Sequence, residues 1–483
     1  MTPAPTPSAR RRPASTLRAP GAILLVSCYE LGHQPVGIAS PAAFLHRAGF
    51  APAALDLSVE SLDRERIARA RLICVSVPMH TAIRLGMRAV AQIREVNPTA
   101  HVCFHGLYAA LNAEWLLEHG GDSAIGGESE AALVALAEAL DAGDAPDVPG
   151  LSIRGRTATP RLERLDFPAP AREALPSLDR YARLEHRGTH RLVGYVEASR
   201  GCRHMCLHCP IPPVYDGRIF VVPVETVMTD IRRLVTMGAM HITFGDPDFL
   251  NAPTHAMRVA AALHAEHPTL TFDFTAKVEH VLEHRALIPG LVADGALFMV
   301  SAVESLSDAV LMNLAKGHTR ADVFEALRIT REAGLVLRPS LVAFTPWTTL
   351  DDYIDVLDVV QREDLVDHVD PVQFAIRLLV PPGSLLLDHE PLRPHLGEFD
   401  PASFGHRWTH PDPRMDVLHR AVSDRIGTAA RVGEEARATI ASVRSLALAA
   451  AGRAERDPAG PADAEDAAAR RRRIPRLTEP WFC

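Results

Sequence analysis

Twice along this chain, short apolar runs alternate with longer helical stretches. No other feature limits the fold as much. Between Gly21 and about Asp141, "AILLVS", "APAALDLS", "ARLICVSVP" and "AHVCFHG" read as strands. "SPAAFLHRAGF", ending at Gly49, and "MHTAIRLGMRAVAQIREVNP", stopped by Pro98, read as helices between them. "AIGGESEAALVALAEAL" then gives a strand end, a glycine turn and a helix. Strands that are apolar throughout are buried on both faces, and helical crossovers make them parallel. Residues 21–142 are therefore expected to form a doubly wound α/β sheet, with ligands beyond the carboxyl ends of its strands.

The second series starts at "RLVGYVEASRG" and continues through "MHITFGD", "LTFDFTAKV", "ALFMVSAVES", "LVLRPSLVAF" and "DPVQFAIRLLVP". Helical pieces such as "VETVMTDIRRLVTMG" and "TRADVFEALRITREAG" fall between them. Residues 191–385 are thus expected to form a partial (βα)6 barrel, with its site at the C-terminal ends of the strands. Residues 143–190, rich in Pro, Arg and Glu, read as a linker, and 386–452 as a small helical C-terminal extension. Residues 1–20 and 453–483 have the composition of disordered ends.

The length of 483 residues calls for two or three domains. A net charge of -8 gives no support for a nucleic-acid partner. The seven cysteines are an odd number without the spacing of a disulfide framework, which points to a reducing, cytoplasmic location. The Arg-rich N-terminus is followed only by "GAILLV", too short for a signal peptide's apolar core. No apolar run approaches the ~18 residues of a membrane span, so no membrane is expected.

Chemistry concentrates in "SRGCRHMCLHCP", directly after the first barrel strand. Cys202, Cys206 and Cys209 are spaced Cys-x3-Cys-x2-Cys. One reading is a structural zinc site with His204 or His208 as fourth ligand. A closed ferredoxin-like cluster needs a fourth cysteine, and none lies nearby. Three thiolates on a four-iron cluster would leave one iron open to a substrate.

This stretch resembles the signature of the radical S-adenosylmethionine (SAM) superfamily, Cys-x3-Cys-x-aromatic-Cys, with His208 in the aromatic position. The resemblance covers about 191–385. It implies a 4Fe-4S cluster on the three cysteines, whose open iron chelates SAM, and reductive cleavage of SAM to a 5′-deoxyadenosyl radical. It also implies an electron donor such as flavodoxin or ferredoxin. At the strand ends, Gly245 and Asp246 match the turn that faces the SAM ammonium. Lys277, Ser301 and Glu304 match contacts to its carboxylate and ribose, and Arg338 and Arg377 carry less weight. Each could also be an ordinary turn, strand end or ion-pair partner.

The first sheet is similar to cobalamin-binding, Rossmann-like domains that precede such barrels, through "SCYELGHQPVGIASPAAFLHRAGF" and "IGGESEAALVAL". That resemblance implies cobalamin as a further cofactor and methyl transfer to an unactivated carbon. The cobalt-ligating Asp-x-His-x-x-Gly is absent, and "ELGHQPVG" offers His33 in a different pattern. A rival reading is a methylthiotransferase with a second cluster on Cys28, Cys74 and Cys103. A third is a non-catalytic iron–sulfur or zinc scaffold. The terminus "RRRRIPRLTEPWFC" is similar to radical SAM proteins with a Cys-Cys(Sec)-Ala-Glu-Pro tail, which would make Cys483 the first residue of that motif. The substrate, peptide or small molecule, is not readable.

Overall fold

The computed structural model describes residues 17–454 and 474–479. Most of the expected N-terminal lead-in and the terminal Cys483 lie outside the described residues. The chain divides into two compact units: one runs to Cys28 and includes Gly37–Pro78 and Leu85–Leu175, and the other holds Tyr29–Val36, Met79–Arg84 and everything from Pro176.

In the first unit, β1 (Ile23–Ser27), β2 (Ala53–Asp56), β3 (Leu72–Ser76), β4 (His101–His105) and β5 (Ser123–Ile125) form a parallel sheet in the order β2-β1-β3-β4-β5. The direction of winding reverses between β1 and β3, the place where doubly wound sheets bind ligands. Leu25, Cys74 and Cys103 meet Ile38, Leu133 and Leu136 of the covering helices in one core. Much of the expected linker belongs to this unit. β6 (Leu151–Ile153) adds an antiparallel edge to β5, and Val148, Ala171 and Leu175 join the core. Three residues are too few to show a strand period in sequence.

The second unit is built on a seven-stranded sheet. Its strands are β7 (Arg183–His186), β8 (Thr189–Val196), β11 (His241–Phe244), β12 (Thr271–Ala276), β13 (Ala296–Glu304), β14 (Val336–Leu341) and β17 (Arg476–Leu477). The order is β14-β13-β12-β11-β8-β7-β17, with β8 and β11–β14 mutually parallel. β9 (Ser199–Gly201) with β10 (Ile219–Val221), and β15 (Leu396–Asp400) with β16 (Gly405–Trp408), form two small antiparallel ribbons. On one sheet face Ile242, Phe244, Phe272 and Phe274 are buried. The other carries Tyr195, Thr243, Asp273 and Phe298, in register across the strands.

Two expectations need correction here. "DPVQFAIRLLVP" does not form a sixth barrel strand: Pro371–Ala375 is a 3-10 turn, and only a Phe344–Arg377 bridge follows. Pro371 has no N–H to pair, and the Gln373 side chain instead accepts the Leu341 N–H at 2.9 Å. The tail expected to be disordered from 453 contains β17, paired antiparallel with β7. Helices Pro413–Val432 and Ala436–Ala450 make up the C-terminal helical region. Among the described residues no helix is long and apolar enough to cross a membrane.

Candidate active site

The three cysteines lie in the loop between β9 and β10, just past the carboxyl end of β8. Gly201 opens this loop at φ +76°, and a Cβ there would come within 2.3 Å of the Arg218 carbonyl. Only glycine fits both the angle and the space. Asp246, at the end of β11, ties the loop's base down. Its buried carboxylate accepts the Ala198 N–H at 2.9 Å and the Ser199 hydroxyl at 2.5 Å. Burial pushes the Asp246 pKa up to about 7 against the pull of those bonds.

Cys202 and Cys206 are buried and Cys209 is partly so, and all three thiols are free. The Cys202 thiol donates to Asn251 Oδ1 at 3.8 Å, and the same oxygen accepts the Arg203 N–H at 3.3 Å. Burial, with the neighbouring Cys206 and Cys202, pushes Cys209 up to about 12. Burial also raises the Cys202 pKa, and sulfurs this close and this shielded ionise more readily with a cation among them. The donor set therefore fits a metal centre.

His208 lies between the last two cysteines. Its Nε2 is 3.4 Å from Glu304, which also accepts from the Lys316 ammonium at 3.2 Å. Glu304, at the end of β13, sits at φ +63°, a costly backbone angle for a non-glycine residue. Burial would raise its pKa, but Lys316 and His208 outweigh it and hold the carboxyl at about 2. His208 Nδ1 is buried and has no hydrogen-bond partner among the described residues.

A second polar group borders the same loop. Asp248 accepts from the Leu250 and Lys277 backbone N–H groups and from His280 Nδ1, at 2.9, 3.0 and 2.8 Å. His280 Nε2 faces His204 Nε2 at 3.1 Å. The Lys277 ammonium reaches Glu279 at 2.9 Å. Burial, then Lys277, depress the His204 pKa to about 4, so its ring is neutral near pH 7.

The structure thus places His208, Glu304, Asp246 and Lys277 around the cysteine loop. Gly245 is required by Tyr195, whose ring carbon would lie 2.0 Å from an added Cβ. Ser301 shares its sheet face with Ala276 and Pro339, the face opposite Val300 and Arg338. Arg338 is engaged by Asp370 at 3.1 Å and by the Pro475 carbonyl. Arg377 pairs with Asp416 at 2.8 Å and lies over the Trp408 ring. Sequence reasoning missed Asp248, Asn251, His280 and Lys316. Their signal was the polar run "GDPDFLN" closing an apolar strand, and a lone lysine in "AKGHT".

At the carboxyl edge of the first unit's sheet, Asp56, Ser27, Ser76 and His105 stand side by side in register. Ser27 Oγ and His105 Nε2 are buried without a hydrogen-bond partner among the described residues. Burial lowers the His105 pKa to about 4, so the ring is neutral. Gly106 and Gly127 follow at positive φ, and a Cβ on the latter would lie 2.8 Å from the Arg161 carbonyl. A polar row with orphaned donors, bordered by glycines, fits a large polar ligand at the switch point.

A parallel half-barrel with three cysteines after its first strand, preceded by a doubly wound sheet, defines a two-domain cofactor protein. Residues 22–137 match the family model of the B12 binding domain, and residues 196–358 that of the radical SAM superfamily. The chain therefore carries an N-terminal B12-binding domain and a radical SAM domain, the pairing of cobalamin-dependent radical SAM enzymes. Hopanoid C-3 methylase of Methylococcus capsulatus is 27% identical over 324 residues, covering 65% of this chain and 62% of that protein. The ribosomal protein uS12 methylthiotransferase RimO of Porphyromonas gingivalis is 27% identical over 203 residues, 38% of this chain and 44% of that one. The chain thus spans less than two thirds of either relative. The cobalamin-dependent SAM radical enzyme OxsB, solved with aqua-cobalamin and SAM, superposes with a TM-score of 0.67 at 15% identity, covering 84% of this chain and 66% of OxsB. The radical SAM methyltransferase TsrM of Kitasatospora setae, solved with cobalamin and a [4Fe-4S] cluster, gives 0.58 at 17% identity, covering 71% and 73%.

Proposed function

We propose that this protein is a cobalamin-dependent radical SAM enzyme that transfers a methyl group to an unactivated carbon. The observation that carries the reading is the loop of Cys202, Cys206 and Cys209 at the carboxyl end of the first barrel strand. It supplies three shielded thiols, two buried and one partly so, and no fourth in that loop. When bound, a four-iron cluster supplies the electron that cleaves SAM, and cobalamin supplies a methyl carrier.

The chain's own residues hold these groups. Cys202, Cys206 and Cys209 provide the thiolates, and Asp246 fixes the backbone that delivers them. Glu304, locked by Lys316, holds the His208 ring beside the cysteines. Lys277 and Glu279 offer a paired cation and anion that suit the carboxylate and ammonium of an amino acid. In the first unit, Ser27, Ser76 and His105 offer hydrogen bonds to the cobalamin side chains. The methyl-transferring relatives support a transferase, and the substrate stays unassigned between peptide and small molecule. A flavodoxin- or ferredoxin-type protein would supply the electron.

The methylthiotransferase reading has relatives in its favour, but Cys74 and Cys103 are 0% exposed inside strands of the first unit's sheet. Buried thiols of this kind are inert core. The test is anaerobic reconstitution with iron and sulfide, then addition of SAM and a strong reductant. The expected result is 5′-deoxyadenosine from the native protein and none from the Cys202→Ala, Cys206→Ala, Cys209→Ala variant. A stable metal centre that cleaves no SAM would leave a scaffold instead.

A further inference from the structure

The cysteine loop has an inner and an outer side. His204 turns toward His280, but Arg203 and Met205, on either side of it, are exposed, Met205 at 44%. The returning leg of the loop lies against them. A Cβ added at Gly217 would sit 3.6 Å from the Arg203 carbonyl oxygen and 3.8 Å from the Met205 sulfur. Arg218 follows, also exposed, and the next residue, Ile219, pairs with Gly201. Neither the Arg203 nor the Arg218 side chain has a partner among the described residues, whereas Arg200 is held by Glu197 at 2.8 Å. Asp216, in the same turn, is exposed and acidic, so Arg203, Met205, Asp216 and Arg218 together keep a net positive charge.

A second methionine stands beside the loop. Met312 is 75% exposed on the helix Asp308–Asn313, and the Leu314 carbonyl just beyond that helix accepts the Leu207 N–H of the cysteine loop at 3.0 Å. Methionine and arginine are the residues enriched where proteins dock, and lysine and glutamate are depleted there. Unpaired surface cations draw in an acidic partner and speed its approach. Electron-transfer encounters need little area, below about 1,200 Å² in total, so a patch of this size is enough. Arg203 is the neighbour of Cys202 in the chain, and Met205 that of Cys206. A protein seated on them stands beside two of the three sulfurs.

We propose that Arg203, Met205 and Arg218 form the docking surface for an acidic one-electron carrier protein, which reduces the centre held by the cysteine loop. The carrier loses one electron and the centre gains it, with no proton or group transferred. This rests on the iron–sulfur reading proposed above.

The test measures 5′-deoxyadenosine formed anaerobically by the reconstituted full chain with SAM. Electrons come either from dithionite or from a dilution series of reduced flavodoxin. The Arg203→Glu, Arg218→Glu variant should raise the half-saturating flavodoxin concentration about tenfold and leave the dithionite rate within about twofold. The milder Arg203→Gln, Arg218→Gln variant should move it the same way by about threefold. Arg420→Glu with Arg431→Glu, the same change of charge on the helix Pro413–Val432, should leave both readouts within about twofold. An unmoved half-saturation in the loop variants overturns the inference, and so does an equal rise in the helix variant, which would make net charge the cause. Equal losses with dithionite and flavodoxin in both loop variants overturn it too, because the damage would then lie in the centre. So does a native chain that dithionite reduces but neither flavodoxin nor a plant-type ferredoxin can. No SAM cleavage with dithionite by the native chain overturns the iron–sulfur reading instead, and the inference with it.

Discussion

Two buried carboxylates beside the cysteine loop are driven in opposite directions by their surroundings. Asp246 meets neutral donors and, nearby, the Glu197 carboxylate, so burial wins and its pKa rises from 3.8 to about 7. Glu304 meets Lys316 and His208, so charge wins and its pKa falls from 4.5 to about 2. The unfolded chain has ordinary carboxyls, which fixes the sign of each effect. Between pH ~4 and 7 the folded Asp246 keeps a proton that the unfolded chain has lost, so this group's contribution to stability falls as pH rises. Glu304 contributes stability above its unfolded value, lost as pH drops from about 4.5 toward 2. Each slope is at most about 1.4 kcal/mol per pH unit. Chemical denaturation across pH 3–8 should show Asp246→Asn losing the upper slope and Glu304→Gln the lower one. Asp246 was legible in sequence as a strand-end residue, but its bonds to Ala198 and Ser199 were not. Pairings between residues about fifty apart follow from the register of β8 and β11, which no local pattern encodes.

At the scale of elements, the second unit depends on a strand of two residues. β17 covers the outer edge of β7, and Leu477 packs with Leu184, Val193 and Phe298. Arg476 pairs with Glu185 at 2.6 Å, and Arg338 reaches the Pro475 carbonyl. Deleting residues 474–483 strips that edge and uncovers part of this core. The expected loss is about 2–3 kcal/mol of unfolding free energy. Leu477→Ala alone should cost about half as much. An unchanged denaturant midpoint in the truncated chain would show that the tail does not hold the sheet, and an exposed β7 edge should also raise its tendency to aggregate. The five parallel barrel strands were legible because each is a strand of ordinary length, rich in β-branched and aromatic residues, set between helical stretches. β17 and β6 were not, since their residues sit in segments with the composition of linkers and tails. The sixth barrel strand was over-read, because "DPVQFAIRLLVP" is apolar enough for a strand while Pro371 and the Gln373 side chain put a turn there.

For the molecule as a whole, the two alternating series announced two α/β bodies, and the three-cysteine loop announced which of them offers a set of metal-ligating thiols. What the pattern left open was whether Cys28, Cys74 and Cys103 build a second metal centre. Their places in the first unit answer that. Cys74 and Cys103 face each other in register across β3 and β4 at 0% exposure, and burial drives both thiols far from ionisation. Cys28 is also buried, and burial, then Asp56, push its pKa up to about 12. A cluster on these three sulfurs would have to open the sheet at its centre. Reconstituted protein should therefore hold about four irons per chain, the content of one cluster, rather than about eight. Cys74→Ala with Cys103→Ala should leave that number unchanged, whereas the Cys202, Cys206, Cys209 triple variant should bring it to near zero. About eight irons, halved by the Cys74 and Cys103 substitutions, would restore the two-cluster methylthiotransferase reading and remove the case for methyl transfer.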